Sequence, residues 1–288
     1  MKLYRALRSI TQNEDINFLL TNRVPRIWLT RAMGRFSKIR NPLVCRASIA
    51  IWRLFTELDL GDAASAHYGS LHDCFTRGLR PGARVVDPAP DVMTSPSDGI
   101  VGACGPVVRG QVFQAKGLAY SLAELLGSDQ DAESFAEGSF VTLRLTSAMY
   151  HRFHAPHDLA IDRVNYISGD TWNVNPIALR RVERLFCRNE RAVIHARLSG
   201  QDHRIALVPV AAILVASIRL HFANVLLHLR YAGPNRIDCD AAASKGQELG
   251  WFEHGSTIIV LAPRGFTLCE GIQDGQRIAM GNALMRLP

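Results

Sequence analysis

Three short segments of this sequence carry side chains that could perform nucleophilic or acid–base chemistry. Residues 95–99 read Ser-Pro-Ser-Asp-Gly and provide a carboxylate, Asp98. On its own this segment predicts a turn, because proline and Asp-Gly favour turns. Residues 254–257 read His-Gly-Ser-Thr and provide a hydroxyl, Ser256, ahead of an apolar run. Ser256 lies in neither a nucleophile elbow, which needs a glycine two residues later, nor a glycine-rich phosphate loop.

The remaining segment contains three histidines at spacings of three, His151, His154 and His157. A metal site is one hypothesis, but the glutamate of a helical zinc motif is absent and Pro156 would interrupt a helix carrying all three rings. We therefore predict no metal. General acid or base catalysis by a histidine pair is a better hypothesis, because imidazole titrates near neutral pH. Ordinary core or surface histidines are the alternative.

The elements that must position these residues divide at about residue 60. The chain has 288 residues and a formal net charge of +7. Residues 1–60 carry eleven Lys and Arg against four Asp and Glu, so this segment alone holds the whole excess. A basic groove for nucleic acid across the whole fold is therefore disfavoured. The pattern favours a local contact with an anionic surface such as a membrane.

Apolar residues in the N-terminal segment recur with the 3.6-residue period of amphipathic helices. The two helices are predicted over residues 24–40 and 43–58. In the first, Trp28 and Phe36 lie on a broad apolar face with Arg31 and Arg35 beside it. Such a helix could lie in a membrane interface. The alternative is a helix that packs its apolar face on the body of the protein and leaves the basic face in solvent.

From about residue 81 the sequence changes to short apolar runs separated by Gly, Pro and Asp, which is typical of strands joined by turns. Strands are predicted over residues 99–104, 107–114, 140–145, 192–198, 205–218 and 256–262. A short helix is predicted at 121–126, with Ser121 as N-cap and Glu124 in capping-box spacing. The fold class is therefore α+β, with N-terminal amphipathic helices followed by a mostly antiparallel β body.

Targeting segments, membrane spans and disulfides are not predicted. Residues 1–13 lack the apolar region of a secretory signal. The most apolar tract, 205–229, is uninterrupted only over 210–218, which is shorter than the roughly 20 residues of a membrane span. None of the six cysteines lies within four residues of another, so we expect reduced thiols and no paired metal ligands.

Taken in chain order, the three segments and several others resemble the phosphatidylserine decarboxylases, a family of pyruvoyl-dependent lyases. The resemblance covers most of the chain but is loose over the first 60 residues. It departs from the family at His254, where leucine is common, and at Leu159, where glycine is common. The matching segments are Phe75-Thr76-Arg77 with Leu79-Arg80-Pro81-Gly82-Ala83-Arg84, Gln114-Ala115-Lys116-Gly117 with Tyr120-Ser121-Leu122, Tyr150-His151-Arg152-Phe153-His154, Phe186-Cys187-Arg188-Asn189-Glu190-Arg191, and Lys245-Gly246-Gln247-Glu248-Leu249-Gly250.

The resemblance implies that the enzyme makes its cofactor from its own backbone. Ser256 would attack the carbonyl of Gly255, and the chain would be cut between the two residues. The products would be a β chain, 1–255, and an α chain, 256–288, whose first residue is a covalent pyruvoyl group (bound pyruvate) derived from Ser256. Glycine suits this bond because it has no side chain to obstruct the attack.

Roles for the other candidates also follow from the resemblance. His154 would be the base and Asp98 its orienting acid, so that Asp98, His154 and Ser256 form a maturation relay. His151 would lie near the substrate carboxylate and donate the proton. The spacing of the two histidines does not by itself separate these roles, and it predicts an irregular segment, since residues three apart on a strand point to opposite faces.

In turnover, the family's pyruvoyl carbonyl forms a Schiff base with the amine of phosphatidylserine and accepts the electrons left as CO₂ departs, which yields phosphatidylethanolamine. The resemblance also implies a homodimer on the cytoplasmic face of a bacterial inner membrane. We expect a membrane-associating segment, 1–60, with Trp28, Arg31, Arg35 and Phe36 in contact with lipid, and a catalytic domain, 61–288. The alternatives are a pyruvoyl decarboxylase for a related amino acid or lipid head group, and a non-catalytic membrane-binding homologue.

Overall fold

The computed structural model describes residues 13–115, 118–214, 217–253 and 256–288. In these ranges the helices are α1 (Glu14–Asn22), α2 (Arg26–Phe36), α3 (Pro42–Phe55), α4 (Leu71–Phe75), α5 (Leu122–Leu126), α6 (Asp129–Glu133), α7 (Pro176–Arg181) and α8 (Leu185–Arg188). The strands are β1 (Val92–Thr94), β2 (Gly99–Pro106), β3 (Gln111–Ala115), β4 (Leu118–Ser121), β5 (Ser139–Leu145), β6 (Arg152–His154), β7 (Leu159–Ile167), β8 (Arg191–Leu198), β9 (Arg204–Ala211), β10 (Ser217–Leu220), β11 (Val225–His228), β12 (Arg236–Ala243), β13 (Glu248–Phe252), β14 (Ser256–Ala262), β15 (Thr267–Leu268), β16 (Arg277–Ile278) and β17 (Ala283–Arg286).

The body is built on an eight-stranded antiparallel sheet in the order β12-β7-β8-β9-β14-β5-β2-β16. A four-stranded sheet, β11-β10-β13-β6, and a three-stranded sheet, β1-β17-β15, accompany it. Along β14, Ile258 and Val260 belong to one hydrophobic cluster, whereas Ile259 and Leu261 belong to another. This strand is therefore buried on both faces, which explains its unbroken apolar run. The predicted α+β class is confirmed.

The N-terminal helices are confirmed, although both are shorter than predicted. The helix predicted over 24–40 is α2, which ends at Phe36 because the chain then turns and the Ser37 carbonyl accepts the amide of His72. The helix predicted over 43–58 is α3, and the Asn41 side chain caps its first turn. The helices in the described part of the chain are all too short or too polar to cross a bilayer.

Two predicted strands are wrong in extent. The strand predicted over 107–114 is interrupted by a turn in which Arg109 and Gly110 have φ angles of 52° and 69°. The strand predicted over 205–218 is two strands, β9 and β10, that belong to different sheets. Both halves are buried, so the apolar run continues across the break and periodicity does not reveal it.

The short helix predicted at 121–126 is confirmed as α5, but its capping box does not form. The Ser121 hydroxyl accepts the amide of Ala123 at 3.1 Å, as an N-cap does. The Glu124 carboxylate instead accepts a hydrogen bond from Arg184 at 2.6 Å.

The segment Asn189-Glu190-Arg191 joins α5 to the sheet. Arg191 is buried and donates to the carbonyls of Leu125 and Glu124 at the end of α5. Asn189 donates from its side-chain amide to the Ala211 carbonyl at 2.8 Å, at the end of β9. These contacts secure the strand that lies beside the start of β14.

Glu190, between them, is a fully buried carboxyl group. One of its oxygens accepts the Tyr166 hydroxyl at 2.9 Å, and the other has no hydrogen-bond partner among the described residues. Burial raises the pKa of Glu190 to about 7. An ionised carboxylate with a buried, unpaired oxygen would be costly, so the group is protonated in the folded protein below that pH.

This carboxyl group should make stability depend on pH. Its unfolded pKa is about 4.3, so the folded state holds one more proton than the unfolded state between that value and about 7. The free energy of unfolding should therefore fall as pH rises through this window. Glu190→Gln should remove this dependence and be more stable than the wild type above the window, by on the order of 2–3 kcal/mol.

Urea unfolding at a series of pH values measures the effect. Glu137→Gln, at an exposed carboxylate, is the matched control and should follow the wild-type curve. Equal slopes for wild type and Glu190→Gln would contradict the prediction.

Candidate active site

Backbone hydrogen bonds join His154 to the turn that carries Asp98 and His151 to β13. The amide of His154, the last residue of β6, donates to the Pro96 carbonyl at 2.8 Å. On the other side, β6 pairs with β13, and the amide of Phe252 at the end of β13 donates to the His151 carbonyl at 3.0 Å. The two strands shift register opposite His154. The predicted irregularity is confirmed, and the histidines lie between the Asp98 turn and the strand that leads towards Ser256.

The Asp98 carboxylate is held by groups other than His154. Arg84 donates to both of its oxygens, from Nε to Oδ1 at 2.8 Å and from Nη2 to Oδ2 at 2.6 Å. The amide of Met280 donates to Oδ1 at 2.9 Å. This pairing raises the pKa of Arg84. No direct hydrogen bond between Asp98 and His154 is found among the described residues, so the predicted relay is not assembled through that contact.

Both ring nitrogens of His154 have partners. Nε2 lies 2.9 Å from the Tyr150 hydroxyl, and Nδ1 lies 2.9 Å from the Gly246 carbonyl oxygen. Burial lowers the pKa of His154, against smaller opposing effects of the Gly246 hydrogen bond and the charge of Glu248. Burial also raises the pKa of Tyr150, so its hydroxyl keeps its proton. At neutral pH the pair is an uncharged imidazole and an uncharged phenol.

His151 is completely buried beneath the N-terminal helices. Its Nε2 donates to the Thr146 carbonyl at 2.9 Å. Its ring packs on Phe75 of α4 with 4.1 Å between centroids, and Phe75 stacks in turn on Trp52 of α3 at 5.6 Å. The position of this histidine therefore depends on helices that precede the β body in the chain.

The third histidine has a different environment. His157 donates from Nε2 to the Pro90 carbonyl at 2.9 Å. The rings of His151, His154 and His157 thus bind separate neighbours. Within the ranges that the structure describes, no group of three His, Cys, Asp or Glu is arranged to hold a metal.

Ser256 is the first residue of β14 and is fully buried. It pairs with Leu145 of β5 on one side and Ala211 of β9 on the other. Its hydroxyl has no hydrogen-bond partner in the described part of the chain. A buried, unpaired hydroxyl costs free energy. His254 and Gly255 lie outside the described residues, as do Lys116 and Gly117 of a matched segment.

Two cavities meet just after Leu145, the residue of β5 that pairs with Ser256. The larger, about 590 Å³, lies between the N-terminal helices and the ends of β5 and β9 and is mostly apolar. The second, about 390 Å³, is of mixed polarity and is lined by the charged groups Asp98 and Arg84 and by Tyr150. Thr146 and Ser147 line both cavities. The residues around the larger cavity are Met33, Phe36, Ser48, Ile51, Trp52, Leu71, Phe75, Arg144, Leu145, Thr146, Ser147, Asn173, Val174, Asn175, Ala212, Ile213 and Leu214.

A buried acidic group ties the N-terminal region to the end of β13. The Glu253 carboxylate lies 3.1 Å from Lys38 Nζ and 3.7 Å from His72 Nε2, and it accepts the Ser217 hydroxyl at 2.8 Å. Burial acts to raise the pKa of Glu253, but the charges of Lys38 and His72 and the Ser217 hydrogen bond outweigh it, so the pKa is lowered. The chain is thereby anchored just before residue 254.

The predicted membrane residues lie on the surface of α2. Trp28 is 66% exposed and Phe36 is 42% exposed, and Arg31 and Arg35 are exposed as well. The side of α2 that faces the body instead buries Thr30. Trp28 and Phe36 are therefore exposed apolar side chains, whereas Leu29 and Met33 of the same helix are partly buried.

Three residues at the site are absent from the sequence-based prediction: Arg84, Tyr150 and Gly246. Each belongs to a segment that resembles the family, but a single sequence does not show which side chain or carbonyl a histidine or aspartate will contact. The one local signal in the sequence is the glycine at position 246, because its φ angle of 81° is a conformation that favours glycine.

A family model described as phosphatidylserine decarboxylase matches residues 71–286. The chain belongs to the phosphatidylserine decarboxylase family. Among its relatives, the phosphatidylserine decarboxylase proenzyme of Brevibacillus brevis is 33% identical over 92% of this chain and 95% of its own length. The proenzymes of Marinobacter nauticus (32%) and Shewanella putrefaciens (33%) are each covered over 98% of their length and match 95% of this chain. The resemblance found in the sequence is confirmed.

Proposed function

We propose that this member of the phosphatidylserine decarboxylase family cuts itself before Ser256 and then converts phosphatidylserine to phosphatidylethanolamine and CO₂. The observation that carries the proposal is that the Ser256 hydroxyl, at the start of β14, is buried and has no hydrogen-bond partner among the described residues. The segment with His151 and His154 is hydrogen-bonded to β13, the strand that precedes β14 in the chain. The turn with Asp98 is hydrogen-bonded to His154 in that segment. The relatives are named as proenzymes, which supports the proposal that this chain must be cut to become active.

In the cutting step, the Ser256 oxygen attacks the Gly255 carbonyl and its proton passes to Nε2 of His154. The peptide C–N bond breaks as the ester forms, which leaves a free amine on residue 256. β-Elimination then removes the Cα proton of residue 256 and releases residue 255 as a carboxylate. Water hydrolyses the resulting dehydroalanine, which releases ammonia and leaves the pyruvoyl group. The negative charge of Asp98 favours the imidazolium that forms, while its carboxylate accepts hydrogen bonds from Arg84 and the Met280 amide. The products are residues 1–255 and 256–288.

The pyruvoyl group supplies an electron-withdrawing carbonyl for loss of CO₂. Ser256 would carry it, with Leu145 and Ala211 as strand neighbours. His151 holds the substrate carboxylate. After CO₂ departs, His151 donates a proton to the carbon that carried the carboxylate. The Thr146 carbonyl and Phe75 fix the orientation of the His151 ring for this role.

Phosphatidylserine is an amphiphile, and the two adjoining cavities suit its two parts. The apolar cavity beside α2 and α3 would hold acyl chains, and the second cavity would hold the charged head group. An apolar cavity of this size supports a lipid substrate over a free amino acid.

The exposed apolar side chains of α2 support its attachment to a membrane surface. Trp28 and Phe36 would enter the interface, and Arg31 and Arg35 would contact anionic head groups. The homodimer and the cytoplasmic face of an inner membrane, which the family resemblance implies, stay predictions that crosslinking and cell fractionation would test.

Self-cutting is tested by intact mass and denaturing electrophoresis of the purified protein. We expect a fragment of residues 256–288 with a blocked N-terminus that reacts with carbonyl reagents, and release of CO₂ from phosphatidylserine but not from free serine. Ser256→Ala should stay intact, because it has no nucleophile. An intact 31.9 kDa wild-type chain that is active, or a cut Ser256→Ala chain, would contradict the proposal.

The two histidines should separate cutting from decarboxylation. His154→Ala and Asp98→Asn should slow cutting by at least about 10-fold, because each weakens the base. His151→Ala should still be cut but lose decarboxylation by about 100-fold or more. The matched control is His157→Ala, whose ring lies against the carbonyls of Pro90 and Asp158 and not against Asp98 or the other two histidines, and it should keep both activities. Cutting that survives in His154→Ala and fails in His151→Ala would reverse the assignment.

Sedimentation with phosphatidylglycerol vesicles tests the attachment. The pair Trp28→Ser and Phe36→Ser should weaken binding at low and high salt. The pair Arg31→Gln and Arg35→Gln should weaken it about 10-fold or more at low salt only, because charge is screened within ~3 Å at 1 M. The matched control pair, Arg204→Gln and Arg236→Gln, removes exposed arginines elsewhere and should bind normally. Unchanged binding in both α2 variants would exclude α2 as the contact.

A further inference from the structure

His154 is held at both ring nitrogens by groups to which the family resemblance gives no role. We propose that Tyr150 is a positioning residue for His154: its hydroxyl, together with the Gly246 carbonyl, fixes the orientation and the tautomer of the imidazole. This inference rests on the proposed function, in which His154 is the base for cutting. Asp98, which was expected to orient the ring, contributes charge instead.

The Gly246 side of this arrangement is built into the backbone. Gly246 has a φ angle of 81°, and a Cβ atom there would lie 2.8 Å from Val86 Cγ2, so only glycine fits without strain. Its amide donates to the Ala155 carbonyl at 2.8 Å, next to His154 in the chain. The turn therefore holds the Gly246 carbonyl against Nδ1 of the ring.

Simple donor and acceptor rules then assign the tautomer. A carbonyl oxygen accepts hydrogen bonds and never donates them, so Nδ1 of His154 carries the proton. In the neutral ring Nε2 is then an acceptor, and the Tyr150 hydroxyl is its donor at 2.9 Å. The lone pair that must receive the Ser256 proton is thereby on Nε2, where it accepts the Tyr150 hydroxyl until that hydrogen bond gives way to the incoming proton.

Asp98 does not perform this function in the structure, because its oxygens accept from other groups. Arg84 occupies both carboxylate oxygens, and the Met280 amide also binds Oδ1. Its charge still acts on His154 through space, where it favours the protonated ring. A relay acid normally orients the histidine and also stabilises its positive charge. Here Tyr150 and Gly246 orient the ring, and Asp98 stabilises the charge.

The charged groups around His154 stay in place when only the tyrosine hydroxyl is removed. Glu248 faces the ring from β13, Arg152 lies on the same strand as His154, and Asp98 lies on the adjoining turn. Tyr150→Phe keeps the aromatic contact, whose centroids are 5.7 Å apart. The variant therefore removes only the hydrogen bond from Tyr150 to Nε2. Because that hydrogen bond stabilises the neutral ring, losing it should raise the pKa of His154.

The direct experiment is a ¹⁵N-histidine NMR titration of the full-length chain with Ser256→Ala, which does not need the cutting reaction. His154→Gln identifies the resonance. We expect the Nδ1–H tautomer in the Ser256→Ala chain. Adding Tyr150→Phe should raise the pKa of His154 by about half a unit to one unit. Adding Asp98→Asn should lower the pKa and leave the tautomer unchanged.

The matched control is Tyr166→Phe, which also removes a buried hydroxyl hydrogen bond, here to Glu190 at 2.9 Å. It should leave the pKa of His154 at its original value. In chains that retain Ser256, the cutting rate should rise with pH through the pKa of His154, and Tyr150→Phe should move this limb to higher pH. A purely space-filling tyrosine would not move it.

Three results would overturn the inference: an Nε2–H tautomer in the Ser256→Ala chain, a pKa of His154 that Tyr150→Phe leaves unchanged, or a tautomer that changes in Asp98→Asn. The first needs no change at Tyr150, so it stands even if that variant folds poorly. Failure of the proposed function is a separate result, because it appears as an uncut wild-type chain while the titration is still measured.

Discussion

The burial of Ser256 between two neighbouring strands is the constraint on which the rest of the site depends. β14 pairs along its length with β5 and β9, and its side chains are buried on both faces. The first residue of such a strand has little freedom to move towards a base. In the proposed function, the reactive groups must therefore be brought to it by the surrounding chain. The backbone bonds from His154 to Pro96 and from Phe252 to His151 join the two histidines to the Asp98 turn and to β13, the strand that precedes Ser256.

The same constraint makes a cut before Ser256 compatible with the fold. Residues 256–288 supply β14 at the centre of the large sheet, β16 at its edge, and β15 and β17 in the three-stranded sheet. These pairings do not depend on the bond before residue 256. In the proposed function the two products therefore stay associated, and the reactive new terminus remains where the serine lay. On the other side of the cut, Glu253 anchors the chain through Lys38 and Ser217.

Local patterns predict the fold class and the types of most elements, because amphipathic helices and short strands between turns each have their own period. They fail at the breaks. The chain leaves one sheet for another between β9 and β10 while both strands stay buried, and the turn at Arg109 depends on backbone angles that its side chain does not signal. Strand order and register also depend on long-range pairing, which periodicity does not encode.

The candidate site shows a similar division. Residue types at their spacings, with the family resemblance, select Asp98, His151, His154 and Ser256. The hydrogen bonds that each one makes do not follow from that selection. An aspartate near a histidine could bind it or bind an arginine, and here the bidentate contact with Arg84 is the stronger interaction for a carboxylate.

The N-terminal helices connect a surface to the interior of the site. Phe36 is partly exposed on α2 and also lines the apolar cavity, as Trp52 of α3 does. Trp52 reaches His151 through Phe75 by two ring contacts.

In the proposed function, a lipid that enters beside these helices would contact the apolar wall of this cavity, which Phe36 of α2 and Trp52 of α3 both line. Its head group would be directed towards the loop, Thr146 and Ser147, that separates the apolar cavity from the charged one. In the proposed function, the helices that contact the membrane are thus also a wall of the chamber in which the lipid reacts. A change in their packing would move His151 as well as the site of attachment.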